Sequence, residues 1–590
     1  MVENPATVIL DDATPGAERL LRFARPSAVI QAAAPDEVPG ALAALESALA
    51  QGRHVAGWLA YELGYVLEPH LNRLGWPGRT QPLLWFGVFD APEAIARADL
   101  KSAGAAYAGK LRHEWDKAAY AARFAKVHDY IAAGDIYQAN LSFRSRFAFA
   151  GDPLGLYLRL RDRALSPHGA FADDGARRIL SLSPEQFFEI SPSGKITARP
   201  MKGTAPRGAD ELSDARAKAA LAASPKDRAE NLMIVDLVRN DVGRLALIGS
   251  VAVQDLFAVE TYPTLHTMVS TVTAQLKPAT RVEQIVRALF PCGSITGAPK
   301  IRAMEIIREL EESPRGLYCG AIGMFAPDGA AKFNVAIRTI TIEGGKGELG
   351  IGGAVVQDST AESEYAECLL KARYFDSVRE PIGLIETLRF ENGFVRRDRH
   401  LGRMQRSAQF LSLPFDRDAA QRALDAAVRN AREALRVRLT LDEEGRFDCT
   451  TALLGAAPAR WTWALSPYPV RSTDALLRHK TTWRQFYDAE QLRLASQSGS
   501  DEAIFINERG ELTEGSRSSL FIRRGGALLT PALSCGLLDG VLRRELIETG
   551  ECAEAILTPA DLAAADEVLL GNSLRGLIRA EPAAVARAAG

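Results

Sequence analysis

No apolar run in this sequence reaches the ~18 residues a membrane-spanning helix needs, so no span is predicted. The N-terminus, MVENPATVILDD, lacks a basic stretch followed by an apolar one, which predicts no secretory leader. Cysteine is scarce. Cys292, Cys319, Cys368, Cys449, Cys535 and Cys552 form no CxxC pair and no metal-ligand spacing, a pattern that fits a reducing cytoplasm rather than a disulfide framework. The eight histidines are scattered, which speaks against a zinc site. An excess of either charge is also missing. With 71 basic and 73 acidic residues the formal net charge is −2, so no global basic field invites nucleic acid. Internal repeats and low-complexity tracts are absent.

What is present is an ordinary globular composition, 47% hydrophobic and 24% charged over 590 residues. That is too long for one core and fits two to four domains. The first ~110 residues read as mixed strands and helices. From Trp115 an amphipathic helix, WDKAAYAARFAKVHDYIAAGD, leads into short strands such as SLSPEQFFEI and KITARP. Long helices follow, DRAENLMIVDLVRNDVG and APKIRAMEIIRELEE among them. After YFDSVREPIG the pattern restarts with the strand ETLRF and the helix RHLGRMQRSAQFL. The expected division is 1–112, 113–378 and 379–590, in an α/β (α+β) chain.

Two clusters of polar residues stand out. In ARPMKGTAPRG, Lys202 lies between Pro and Gly at a strand end; taken alone it reads as a surface lysine in a loop. Upstream, Glu185 opens a strand that a hairpin would pair with ITARP, which could bring Glu185 and Lys202 together. A partly desolvated lysine can be neutral and nucleophilic, and a nearby carboxylic acid can protonate a departing hydroxyl. Two helices then carry carboxylates: Glu230 in DRAENLM, and Glu364 and Glu367 with Lys371 in AESEYAECLLKA. The second set shares one helix face. It is either a solvated salt-bridge ladder or part of a hard-cation site of the kind magnesium takes.

The runs GDIYQANLSFR, SLSPEQFF, RPMKGTAPRG, KDRAENLMIVDLVRNDVGR, FPCGSITGAPKIRAMEII, GLYCGAIG, NVAIRTI, GGAVVQDS and ESEYAECLLKA resemble, in order, the chorismate-utilising family. That family includes anthranilate, aminodeoxychorismate, isochorismate and salicylate synthases. The resemblance implies layered antiparallel sheets with helices. It also implies Mg2+ on Glu230 and Glu367 with Glu364 close by, Glu185 as general acid and Lys202 as a nucleophile toward ring C2. Tyr318 and Arg338, with the backbone N–H groups of Gly353 and Ala354, would hold a chorismate carboxylate. Lys371 would also face a carboxylate, and His266 would line the cleft. Lysine at 202 and asparagine at 231 match the members that form aminodeoxychorismate; anthranilate synthases carry alanine and histidine there. No Cys-His-Glu glutaminase pattern is visible, so ammonia from a separate glutamine amidotransferase subunit is implied.

In the C-terminal part, RHKTTWRQF places Lys480 after a strand-like ALLRH segment. The hairpin DEAIFINERGELTEGSRSSLFI follows, with Glu514 after its turn; alone, Glu514 reads as a solvated turn-end carboxylate. With RDRHLGRMQRSAQFL, LLTPALSCGLLDGVLRREL and EVLLGNSLRGL, these runs resemble class IV aminotransferases, most closely the aminodeoxychorismate lyases. The resemblance implies pyridoxal 5′-phosphate on Lys480, Glu514 at the pyridine nitrogen, and a phosphate cup of Arg403, the helix start Gly540-Val541 and Ser573. Standalone members begin with ~25 residues that this chain lacks, and the first domain is the expected replacement. The combined expectation is conversion of chorismate and ammonia to 4-amino-4-deoxychorismate, then pyruvate elimination to 4-aminobenzoate for folate synthesis. An anthranilate synthase, a true transaminase, or a cofactor-free second half are the alternatives.

Overall fold

The computed structural model describes residues 6–75, 78–102, 104–262 and 265–583. Two compact units emerge. The first holds residues 1–105, 110–147 and 153–379; the second holds 106–109, 148–152 and 380–590. The last break, at Arg379–Glu380, falls where the sequence pattern restarts. Residues on either side of 112 otherwise share the first unit. Among the described residues no helix is long and apolar enough to cross a membrane.

The first unit is built on antiparallel sheets whose neighbours are often far apart in sequence. One sheet runs through Gln138–Gly151, Lys346–Val355, Thr339–Glu343, Arg177–Ser183, His168–Asp173 and Thr7–Asp12. Another runs through Met201–Pro206, Leu265–Gln275, Lys195–Ala198, Gln186–Ile190, Ala331–Val335, Ala321–Phe325 and His54–Leu59. The chain changes sheets at two places that matter later. Pro184-Glu185 separates Arg177–Ser183 from Gln186–Ile190, and Ala336–Arg338 separates Ala331–Val335 from Thr339–Glu343. Hydrogen bonds tie the two crossovers together. Leu182 N–H donates to the Arg338 carbonyl (3.0 Å), Val335 N–H to the Glu185 carbonyl (3.1 Å), and the Ser183 hydroxyl to the Val335 carbonyl (2.6 Å).

Helices pack on these sheets where the sequence pattern placed them. Lys117–Ala132 starts at Asp116, whose carboxylate accepts from Ala119 N–H at 2.8 Å, an N-cap. Pro225–Gly243 starts at Ser224 with proline in its first turn, and Ala361–Asp376 starts at Thr360. In the sheet core Trp58 and Trp85 stack at 4.5 Å between centroids. At neighbouring Gly57 a Cβ would run into the Trp85 carbonyl oxygen.

The second unit has a three-stranded antiparallel sheet, Leu384–Phe390, Leu435–Leu441 and Phe447–Leu453, against the helices Arg397–Leu411 and Arg417–Val428. An eight-stranded mixed sheet forms its other part. There Glu502–Ile506 and Leu512–Gly515 make the expected antiparallel pair, with Ile506 opposite Leu512. The segment before Lys480 differs from expectation. It is a 3-10 helix, Ala475–Arg478, because Asp474 at its N-cap accepts from Leu476 N–H at 2.9 Å and closes a tight turn where a strand would need extended backbone.

Candidate active sites

Lys202 sits on a β-bulge. Met201 pairs with Val269 and Thr204 with Thr267, so Lys202 and Gly203 together oppose Met268. Gly203 makes the bulge possible. Its φ is +82°, and a Cβ there would lie 2.7 Å from the Asp227 carboxylate. Asn231 fastens the facing helix to the same spot. Its amide donates to the Met268 carbonyl (3.4 Å), and its oxygen accepts from the Ser270 hydroxyl (2.6 Å). Glu230, one residue earlier on that helix, is thereby carried to the Lys202 strand.

The charges around Lys202 act on one another. Burial lowers the pKa of its ammonium, Glu230 opposes this, Lys371 adds to it, and Glu185 and Glu367 oppose it more weakly. Burial pushes the Glu185 carboxyl up to about 7, against the pull of the Ser294 hydroxyl and Lys202. Glu185 is only 4% exposed, and its Oε1 has no hydrogen-bond partner among the described residues. A buried carboxyl without a full set of donors keeps its proton.

Two helices carry three carboxylates here, of which Glu230 and Glu367 act on this lysine. Burial raises Glu230, and Asp227 and Glu367 raise it further against Lys202 and Lys226. Burial raises Glu364 despite the Ser359 hydroxyl that donates to it at 2.7 Å, and Glu367 adds to the rise. Burial works on Glu367 too, but the Lys371 ammonium, 2.8 Å away, outweighs it and holds that carboxyl low. Among the described residues no three such donors converge into a ready metal cage. The donors are nonetheless hard oxygens whose mutual repulsion a divalent cation would relieve, and this chemistry fits an ion that takes few carboxylates and keeps its waters.

The same unit holds the groups expected to receive an anion. Arg338 has φ +49°, a strained conformation for a non-glycine residue. Burial lowers its guanidinium pKa, and its side chain bonds to no described residue. Tyr318 is buried beneath the Arg144 guanidinium, 5.1 Å from its ring centroid. Gly353 lets its strand approach the acid-bearing helix, since a Cβ there would lie 3.1 Å from Glu364 Oε2 and 3.9 Å from Lys371 Nζ. Ala354 follows on the same strand, and Lys371 also donates to the Gly352 carbonyl at 2.9 Å. His266 is held otherwise. Its Nδ1 meets Thr261 Oγ1 and its Nε2 meets Asp214 Oδ1, both at 3.0 Å, so both ring nitrogens are engaged by protein. Sequence reading overlooked Lys226, 3.9 Å from Glu230, and Ser294, which acts on Glu185 from the FPCGSITG run.

In the second unit Lys480 is likewise desolvated. Burial brings its pKa down to about 8, aided by Arg403 and Arg484 and opposed by Glu386 and Glu514. Burial pushes Glu514 up to about 7, against the Leu538 backbone, the Tyr487 hydroxyl at 3.1 Å, Arg484 and Lys480. Arg403 is held by Glu386 at two points, Nε to Oε1 at 2.8 Å and Nη2 to Oε2 at 2.6 Å, and its Nη1 donates to the Asp539 carbonyl at 3.2 Å. Asp539 precedes Gly540, the N-cap of the helix Val541–Glu548. A Cβ on Gly540 would stand 2.5 Å from Ser519 Oγ. Ser573 Oγ meets His400 Nε2 at 2.8 Å, and His400 Nδ1 meets Glu386 Oε2 at 2.6 Å.

Glu386 is therefore the hub of the predicted phosphate cup, since it orients Arg403 directly and Ser573 through His400. Burial would raise its carboxyl, but Arg403 and His400 hold it down at about 2. The sequence offered one signal for this pair, a glutamate and a histidine at otherwise core-facing positions of ETLRF and RHLGRM. Tyr487 and Arg484, stacked with guanidinium carbon 5.7 Å from the ring centroid, carried no signal of their own.

Both units thus present a desolvated lysine among carboxylates in an α+β frame, the arrangement of an enzyme. The chain belongs to the chorismate binding enzyme family, whose model matches residues 5–376; the amino-transferase class IV model matches residues 383–581. Aminodeoxychorismate synthase component 1 of Escherichia coli K12 is 46% identical over 248 residues, covering 42% of this chain and 54% of that protein. Aminodeoxychorismate synthase of Streptomyces griseus is 44% identical over 305 residues, 48% of this chain and 42% of that protein. The chain spans about half the length of these curated relatives. Anthranilate synthase component I of Streptococcus pneumoniae TIGR4 shares the fold, with a TM-score of 0.51 at 24% identity over 63% of this chain and 90% of that one.

Replacing Glu386 by Ala strands Arg403 and His400 without their acceptor. The expected cost is about 3–5 kcal/mol, the range for breaking a buried ion pair on one side. Denaturant titration followed by tryptophan fluorescence should show the second unit unfolding at lower denaturant while the first is unchanged.

Proposed function

We propose that the first unit converts chorismate and ammonia to 4-amino-4-deoxychorismate and water, and that the second converts this product to 4-aminobenzoate and pyruvate, a step toward folate. The observation that carries the reading is the partly buried Lys202 among the charges of Glu185, Glu230 and Glu367, in a chain whose curated relatives are named as aminodeoxychorismate synthases. Lys202 in its neutral form attacks ring C2 while Glu185 gives its proton to the C4 hydroxyl, which leaves as water. Ammonia then adds at C4 and the Lys202 amine is expelled from C2. Arg338, with Tyr318 and the strand end at Gly353 and Ala354, receives a substrate carboxylate. Glu230 and Glu367, with Glu364, would hold magnesium, which supplies positive charge against the ring carboxylate. No glutaminase motif is present, so a separate glutamine amidotransferase is the proposed source of ammonia. The free cysteines, none in a disulfide, support a cytoplasmic placement.

In the second unit the donor set suits pyridoxal phosphate. Lys480 offers a readily neutralised amine, Glu514 a buried acid for the ring nitrogen, and Arg403, Ser573 and the Gly540-Val541 helix start a phosphate cup. When bound, the cofactor supplies an electron sink for charge developing on the substrate ring. Lys480 is the base that removes the C4 proton, and Tyr487 keeps Glu514 oriented. Loss of the enolpyruvyl group from C3 as pyruvate makes the ring aromatic.

With chorismate, magnesium, ammonium and pyridoxal phosphate, the chain should yield 4-aminobenzoate and pyruvate by chromatography, and glutamine should not replace ammonium. Lys202→Ala should lower chorismate consumption by ~10³-fold or more. Lys480→Ala should accumulate 4-amino-4-deoxychorismate instead. Consumption undiminished in Lys202→Ala sinks the covalent step, and amino transfer to an added keto acid would make the second unit a transaminase.

Chelation of magnesium, or Glu367→Gln, should stop the first reaction and leave the second running on supplied 4-amino-4-deoxychorismate. Persistent chorismate loss in EDTA would remove the metal from the scheme.

Acidity should matter at two groups. Glu185 acts in its protonated form and ionises near pH 7. Lys202 acts in its neutral form, so kcat/KM for chorismate at constant free ammonia should depend on both groups, with an inflection near pH 7 from Glu185 that Glu185→Gln should abolish with most of the activity.

A further inference from the structure

The second unit is not made only of residues after 379, since Ala106–Gly109 and Ala148–Asp152 also belong to it. These segments pair antiparallel, Ala106 with Gly151, Tyr107 with Ala150 and Ala108 with Phe149. Tyr107, Ala148 and Ala150 lie in the same hydrophobic cluster as Leu384, Leu388, Leu401, Met404 and Leu411. Tyr107 is 1% exposed, and it touches two elements of the second candidate site at once.

Its hydroxyl donates to the Leu411 carbonyl at 3.0 Å, the last residue of the helix that carries His400 and Arg403. Its ring meets Trp483 edge-on, with centroids 6.1 Å apart and planes at 73°. Trp483 closes the short loop that begins at Lys480. That loop is stitched to the start of the strand Leu384–Phe390. Ile385 N–H donates to the Lys480 carbonyl and Thr482 N–H to the Gly383 carbonyl, both at 2.8 Å; Gly383 N–H donates to Thr482 Oγ1 at 2.9 Å. The Trp483 indole N–H fixes the far end on the Pro381 carbonyl at 2.9 Å. Aromatic edge contacts of this kind add orientation beyond area burial.

We propose that Tyr107 is a positioning residue of the second active site. From a segment that lies early in the sequence, it sets the Lys480 loop, through Trp483, relative to the Arg403 helix. Lys480 would engage the aldehyde and Arg403 the phosphate of one cofactor, and the two already act on one another, so a small change in their separation would cost affinity at both. This rests on the reading of the second unit as a pyridoxal-phosphate enzyme. It also names a replacement for the opening segment that standalone class IV domains have and this one lacks.

The test uses the full chain in wild-type form and as Tyr107→Phe, Tyr107→Ala and Trp483→Leu, each stripped of cofactor. Three quantities are read: the dissociation constant of pyridoxal phosphate by titration of the visible absorbance, the pH at which that absorbance titrates in the loaded protein, and chorismate consumption with magnesium and ammonium. Tyr107→Ala should weaken cofactor binding by about 10-fold or more and move the titration pH, the scale of effect expected when a supporting group lets a site loosen. Trp483→Leu should reproduce that change, the two substitutions together should be less than additive, and chorismate consumption should be unchanged. Tyr107→Phe keeps the ring contact, so it should shift the same two quantities less. Unaltered affinity and titration pH in Tyr107→Ala overturn the proposal. If the second unit of that variant does not fold, shown by loss of its transition in denaturant followed by tryptophan fluorescence, Tyr107→Phe decides by the same two readouts. A wild-type chain that binds no pyridoxal phosphate fails at an earlier point, since it overturns the reading of the second unit and the role of Tyr107 with it.

Discussion

An amine forms a bond to carbon only after it has lost its proton, and water holds a lysine amine protonated far above neutral pH. Both candidate sites are organised around lifting that constraint. Lys202 and Lys480 are partly withdrawn from water, and each is set near further positive charge, Lys371 in one case and Arg403 with Arg484 in the other. The backbone arrangements that look odd in isolation serve this end. The bulge at Lys202-Gly203 turns a side chain out of its ladder position, and the hydrogen bonds from Gly383 and Ile385 fix the loop that starts at Lys480. Carboxylates near each lysine oppose the effect, so the amine is weakened as an acceptor of protons without being isolated.

The same burial acts on acids in the reverse sense, and partners decide the outcome. Glu185, Glu514 and Glu386 are all buried. The first two are pushed up to about 7, while Glu386 is held at about 2. The difference is the number of positive donors in contact. Glu386 receives two bonds from Arg403 and one from His400, whereas Glu185 keeps an oxygen with no partner. A carboxyl that keeps its proton is ready to give it up, and one paired this tightly is a strut. For Glu514 the missing partner would be a pyridinium nitrogen, whose arrival would reverse its shift. That is why a buried acid beside a desolvated lysine reads as one end of a cofactor site and not as a defect.

Much of this was legible in order along the chain. Helix starts at Asp116, Ser224 and Thr360 are written in capping residues, and the hairpin that places Glu185 is written in its alternating strand. The candidate site residues of the first unit were proposed from motif runs. The sheet crossovers at Pro184-Glu185 and Ala336–Arg338 were not foreseeable, because strand order is a nonlocal property and no residue in either segment announces which sheet comes next. Nor was the 3-10 helix before Lys480, where one Asp474 side chain overrides the apolar run ALL. His266 shows the converse limit. Its match to a family run is visible in sequence, but its two ring bonds depend on the strand Ala252–Thr261 that pairs beside it and on the helix Glu211–Ala223 that carries Asp214.

The membership of Tyr107 in the second unit changes what the break at 380 means. A motif boundary marks where one family pattern ends and another begins, and 380 is such a mark. A folding boundary marks where the core contacts of one unit end, and by that measure the chain enters the second unit twice before residue 153. Both early segments are short and apolar, AYAG and AFAGD, and carry no motif of either family. Tyr107, Ala148 and Ala150 pack among Leu384, Leu401 and Leu411, so these early segments cover part of that core's apolar surface. The core of the second unit is therefore encoded in two distant stretches of sequence. A single cut at 380 would separate the Lys480 loop from the ring it packs against.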